Sequence, residues 1–210
     1  ITISRNIPAN IHLSSISSAG SVELIRNAKA KGILITADTT PHHLTLTDEK
    51  ILGYDPNSKT MPPLREESDR EAILAGILDG TIDSICTAHE PCHEHEKQVE
   101  FDLAPPGIIG YETALPIVYE ELSKHDKDPF RLIAQTMSEN PSRILNTPHE
   151  GLAEGAKADF VVFDPNNKWK YSVQKGVSGA RNSPFDDCAI KGSVAATFSM
   201  GKLVYSAIEA

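Results

Sequence analysis

Long apolar runs, positive charge, paired cysteines and the short motifs of nucleotide or serine chemistry are all scarce in this 210-residue chain. No stretch approaches the roughly 20 apolar residues that a membrane-spanning helix needs. Lys and Arg total 20 against 29 Asp and Glu, a net charge of −9. That balance repels nucleic-acid phosphates and anionic headgroups, which argues against nucleic acid or membrane as partner. Cys86, Cys92 and Cys188 are an odd set at wide spacing, the pattern of free thiols in a reducing compartment. With no basic-then-apolar leader in the opening residues, the expected location is cytoplasmic. There is no Gly-x-Ser-x-Gly elbow and no Gly-x-x-x-x-Gly-Lys-Ser/Thr loop, and Cys86 lies in an apolar strand pattern where burial keeps it a thiol.

What the chain does contain is alternating strand and helix patterns. Residues 10–17 have strand character, and Ser18 then opens a helix with Val22, Ile25 and Ala28 on one face, stopping at Gly32. Residues 32–38 predict a second strand and 39–46 a loop, with a short helix from Thr47. Ser68-Asp69-Arg70-Glu71 has the form of a capping box ahead of Ile73, Leu74, Ile77 and Leu78, and Gly80 ends that helix. Residues 82–87 predict a third strand, followed by a long polar loop to about Gly110. Helices are expected over 112–122 and 129–139, with a restart at Asn140-Pro141 through Ile144. Strands separated by helices of this length imply parallel βαβ units. From Gly151 the pattern changes to short strands, 158–164 and a hairpin 194–206 turning at Met200-Gly201, which predicts a separate small β element.

Chemistry-bearing residues gather just past strand ends, the functional side of an α/β sheet or barrel. His42-His43 follows the second strand. His89, Glu90, Cys92, His93, Glu94 and His95 follow the third and offer enough donors for a transition metal if they converge. The competing reading is a solvated polar loop, because adjacent donors on a loop converge only when a rigid scaffold holds them.

Ordered motifs then carry a resemblance. Residues 11–18 before Ser21-Val22-Glu23-Leu24-Ile25, then Thr40-Pro41-His42-His43-Leu44, Pro62-Pro63-Leu64-Arg65, Asp79-Gly80-Thr81-Ile82-Asp83, Val99-Glu100-Phe101-Asp102, Pro106-Gly107-Ile108-Ile109-Gly110 and Glu112-Thr113-Ala114-Leu115-Pro116 occur in the order seen in bacterial-type dihydroorotases. Residues 151–164 resemble the tail signature of the wider amidohydrolase superfamily. The resemblance runs over nearly the whole chain. It implies an α/β fold: the last three strands of a (β/α)8 barrel over 1–150, and over 151–210 the C-terminal strands of a small β-sandwich. It also implies an N-terminal half supplying the first five strands, in keeping with a chain that opens at Ile1 and reads as a piece. The family's reaction is the zinc-dependent interconversion of dihydroorotate and carbamoyl aspartate in pyrimidine biosynthesis.

The resemblance breaks where the chemistry sits. The family's zinc-binding His on the sixth strand is Ser15 here, with His12 at a non-ligand position. The Asp that serves as ligand and general base is Ala88, a substrate-contacting His is Cys92, and a substrate-contacting Asn is Met61. Pro106 and Gly107 match a loop that offers main-chain groups to substrate. The expectation is a chain without catalytic or zinc-binding residues of its own, with His89, Glu90, Cys92 and His93 as substitute donors to be weighed. Its role would be structural or regulatory, as a homo-oligomer or a partner of aspartate carbamoyltransferase. The alternative is an active zinc-dependent cyclic-amide hydrolase, a dihydroorotase or a hydantoinase- or allantoinase-like enzyme, completed by the N-terminal half.

Overall fold

The computed structural model describes residues 9–147 and 150–208; the opening at Ile1 lies outside them. Strands β1 (Ile11–Leu13), β2 (Ile35–Thr39) and β3 (Ser84–Ile85) form a parallel sheet in the order β1-β2-β3. Helices α1 (Ala19–Ala30) and α3 (Glu67–Leu78) make the crossovers. On α1 the apolar spacing buries Val22, Ile25 and Ala28, Ser18 caps the first turn by accepting from Ser21 N–H, and Gly32 leaves the helix with φ 72°. The core joins these residues to Ile73, Leu74 and Ile77 of α3, Ala37, Ile82 and Ile85, and Val118 and Leu122 of a later helix.

Local signals mislead in three places. Residues 39–46 are not a loop: Thr40 accepts from His43 N–H, Pro41 sits in the first turn, and a short helix α2 (Pro41–Thr45) results. The capping-box pattern at Ser68 does not cap: α3 already begins at Glu67, and the Asp69 carboxylate instead accepts from Ala19 N–H at 2.7 Å, docking the start of α1. The third strand is shorter than 82–87, although Asp83 N–H to Ala37 O and Cys86 N–H to Thr39 O extend its ladder. The polar loop after it holds one further turn, α4 (Glu94–Lys97).

Downstream, α5 (Ala114–Leu122) and α6 (Pro129–Ala134) lead through a wide π turn, Gln135–Glu139, into α7 (Asn140–Ile144). The C-terminal strands are longer than the sequence pattern indicates: β4 (Phe160–Lys170), β5 (Ala189–Ser199) and β6 (Lys202–Ser206) form an antiparallel sheet, with the tight turn at Met200-Gly201 as expected. Phe163 of β4 packs edge-on to Tyr119 at 5.1 Å, and Gly192 lies so close to the Phe163 ring that an added Cβ would sit 2.3 Å from it. A second apolar cluster joins Ile108, Ile109 and Ile117 to Tyr171, Val173, Phe185 and Ile190, so β5 and the connection from β4 are anchored to α5 and to the loop before it. No helix among the described residues is long and apolar enough to cross a membrane.

Asp38, at the end of β2, ties the three parallel strands together. Its Oδ2 accepts from His12 Nε2–H and from Ser14 Oγ–H, each at 2.8 Å, and its Oδ1 accepts from Ser15 N–H at 2.6 Å and Cys86 Sγ–H at 3.1 Å. Burial by itself raises a carboxyl pKa, but the bonds from Ser15, His12, Cys86 and Ser14 outweigh it and hold Asp38 below the usual carboxylate value. A group with a depressed folded pKa stabilises the fold above its unfolded value of about 4, and that contribution is lost as pH falls through the folded pKa.

Two outcomes follow for urea unfolding. Ile73→Ala, at a fully buried core position, is expected to cost about 2–5 kcal/mol. Asp38→Asn is expected to cost about 1–3 kcal/mol at pH 7 and to flatten the loss of stability below about pH 4. An unchanged acid limb in Asp38→Asn would show that this carboxylate is not the titrating tie.

Candidate functional site

Because β1, β2 and β3 are parallel, the segments that leave their carboxyl ends share one edge of the sheet. Ser15 leaves β1, Thr40 to His43 leave β2, and residues 86–93 leave β3. Asp38 gathers the Ser15 backbone and the Cys86 thiol on one oxygen, with Ala88 two residues beyond Cys86. Ser15 and Ala88 are both left-handed, with φ 57° and 43°. Side chains generally avoid that region, and Asp, Asn and His occupy it several-fold more readily than most others. The main chain at these two positions thus has the conformation suited to the His and Asp that the resemblance places there, while the side chains are a hydroxymethyl and a methyl.

His42 and His43 are both buried on α2. His43 Nε2–H donates to Pro62 O at 3.0 Å, since a carbonyl can only accept, and Nδ1 then accepts from the Thr40 hydroxyl at 2.9 Å. Burial lowers the pKa of His43, and lowers that of His42 further, so both rings are held neutral. His43 is a structural post between two loops. Met61, next to Pro62, is exposed.

The substitute donors are drawn to separate partners. His89 Nδ1 accepts from Gly110 N–H at 3.2 Å, and its ring stacks on Tyr111 with centroids 3.9 Å apart. Glu90 N–H donates to Ile108 O, and its side chain lies against Gly107, where an added Cβ would come within 2.9 Å of Glu90 Cβ. Cys92 points its thiol at Pro106 O, 3.7 Å away, and burial pushes its pKa up. His93 starts α4, with its N–H on the Glu96 carboxylate, and its ring stacks on His95. Among the described residues, no three of His, Cys, Asp and Glu are arranged to hold a metal ion. Cys86 is pushed up to about 12, by burial and then by the Asp38 charge, which makes it a protonated donor and not a nucleophile.

Pro106 and Gly107 lie beside this loop. Gly107 N–H is committed to Lys59 O at 2.9 Å, so what this pair can offer a ligand is carbonyl oxygen. Two residues at the edge escape a reading of the sequence. Asp38 looks like one polar position in an apolar strand. Asn182, in the connection between β4 and β5, is buried and bonds Glu90, Cys92 and Gly107 from 92, 90 and 75 positions away, with no periodic signal to mark it.

Comparison with known proteins is consistent with this geometry. The chain is 44% identical over 199 residues to the dihydroorotase of Geobacter sp. (strain M21), covering 95% of this chain and 47% of that protein. It is 43% identical over 203 residues to the dihydroorotase of Elusimicrobium minutum (strain Pei191), covering 97% and 47%. The chain therefore spans about half the length of these relatives. Among solved structures, the L-hydantoinase (dihydropyrimidinase) of Arthrobacter aurescens superposes with a TM-score of 0.91 at 22% identity, over 99% of this chain and 47% of that one. The D-hydantoinase (dihydropyrimidinase) of Thermus sp. superposes with a TM-score of 0.86 at 20% identity, over 98% and 46%. These likenesses carry the α/β fold. The amidohydrolase family profile matches residues 3–204, and the chain belongs to the amidohydrolase family.

Proposed function

We propose that this chain is the C-terminal half of a dihydroorotase-like protein of pyrimidine biosynthesis that is catalytically silent and serves a structural or regulatory role in the cytoplasm. In this reading residues 1–150 supply the last three strands of a (β/α)8 barrel, and residues 151–210 supply C-terminal strands of a small β-sandwich. The parallel order β1-β2-β3 with helical crossovers and the separate antiparallel sheet support it. The N-terminal half of the barrel is the first partner. A second copy or aspartate carbamoyltransferase is the second.

The observation that carries the silent reading is the pair Ser15 and Ala88, left-handed in backbone and without the side chains that the resemblance places there. Zinc lowers the pKa of its bound water to about 7 from about 15.7 in bulk, and it does so only when held by imidazole, thiolate or carboxylate. Alanine donates nothing, and a serine hydroxyl is a poor zinc donor. His89 has spent its Nδ1 lone pair, and Cys92 is biased toward the thiol. The residues of this half therefore do not fit zinc. The ligand contacts that remain are main-chain carbonyls at Pro106 and Gly107, which do not depend on side-chain identity.

Elemental analysis and a dihydroorotate assay on the complete protein test this reading. The expected result is zinc well below one per chain and no turnover; stoichiometric zinc with turnover would overturn it in favour of an active cyclic-amide hydrolase. The double variant Ser15→His, Ala88→Asp places residues that tolerate positive φ at both positions, and it is expected to fold and to gain zinc. A working rewired site would instead lose activity in the same variant.

A further inference from the structure

The connection between β4 and β5 crosses the edge that holds the site, and Asn182 is its point of attachment. Asn182 is 2% exposed. The two N–H groups of its amide donate to Glu90 O and to Gly107 O, each at 2.9 Å. Its Oδ1 accepts from Cys92 N–H at 3.1 Å, and its own carbonyl accepts from Ile109 N–H at 2.8 Å. One planar side chain thus bridges the loop that follows β3 and the loop carrying Pro106 and Gly107.

We infer that Asn182 is a positioning residue of the site, bracing Gly107 O against Glu90 O and so setting the direction of the Gly107 carbonyl toward a ligand that presents an N–H group. A carbonyl oxygen has two acceptor directions, and Asn182 takes one from each; the Cys92 thiol lies 3.9 Å from Glu90 O, so the second direction of Gly107 O is the one left to a ligand. Gly107 N–H is already spent on Lys59 O, so Gly107 reads donors and not acceptors. An unpaired buried carbonyl is costly, which holds the amide in this one arrangement. A residue of the small β element thereby acts on the site through main chain alone. The identity of the ligand rests on the dihydroorotase-like reading; the bridging geometry does not.

Asn182→Asp preserves shape and the Oδ1 acceptor, but it replaces both donors with an oxygen facing two carbonyls. In the complete protein, dihydroorotate binding by titration calorimetry is expected to weaken about tenfold or more, the loss of one to two buried hydrogen bonds. Ile73→Val, which loosens the core away from the site, is expected to leave that affinity unchanged. Equal affinity in a folded Asn182→Asp protein, or an equal loss in Ile73→Val, would overturn the assignment. If the wild-type protein does not bind dihydroorotate, the ligand reading fails, and hydrogen exchange decides the positioning role by itself. Faster exchange at the Glu90 and Gly107 amides together in Asn182→Asp supports the bridge, and no change at either one refutes it.

Discussion

A single buried carboxylate, that of Asp38, holds the working edge of the sheet together. The parallel strands are short, three, five and two residues, and so have few ladder bonds to align them. Asp38 accepts from an imidazole, a hydroxyl, a main-chain N–H and a thiol, three of them borne by the segment running from β1 into Ser15 and one by the segment after β3. Charge-assisted bonds are stronger than neutral ones, and four of them offset the desolvation of a buried carboxylate. Asp83, just ahead of β3, adds a second tie, taking Ala37 N–H from the middle of β2 and the Lys29 ammonium of α1 on one oxygen. Together the two carboxylates fix β2 against its neighbours at the adjacent residues Ala37 and Asp38.

What the sequence reveals and conceals follows from where each determinant lies. Helix α1 was legible because Ser18, Val22, Ile25, Ala28 and Gly32 act within one element. The turn at Met200-Gly201 was legible for the same reason, since a tight hairpin depends on the few residues that form it. The capping box at Ser68 misled because the helix starts earlier, at Glu67, with Ser68 already inside it, while Asp69 bonds a backbone 50 residues away. The reach of β4 to Lys170 was hidden because Pro165 and the polar run after it suggest an ending. In the fold the strand passes that run as a bulge, with register shifts at Val162/Phe163 and Asp164/Lys168, and resumes against β5.

The candidate site divides along the same line. Ser15, Ala88 and Cys92 were legible as positions because motifs on either side index them. The behaviour of the neighbouring donors was not. His89, Glu90, Cys92 and His93 are adjacent in sequence, yet Gly110 and Tyr111, Ile108, Pro106 and Glu96 draw them to different partners. A loop places donors by the bonds its backbone makes, and here those bonds come from residues 106–111, from Asn182 and, for His93, from Glu96 of the same loop. Composition counts donors and cannot say which way they turn.

This separation of backbone from side chain explains how Ser15 and Ala88 sit in a family fold without its reactive groups. A left-handed non-glycine residue costs of order 1–2 kcal/mol, and it persists only where the surroundings over-determine it. At Ser15 the surroundings are Asp38 Oδ1 on its own N–H and Asp38 O on the N–H of Ile16. At Ala88 they are the ladder bond of Cys86 on one side and the His89–Ile108 bridge on the other. None of these contacts involves the side chain of residue 15 or 88. Main-chain bonds therefore hold the conformation at both positions, and side chains that accept positive φ can be exchanged at these two points while the edge and the two bridged loops keep their places.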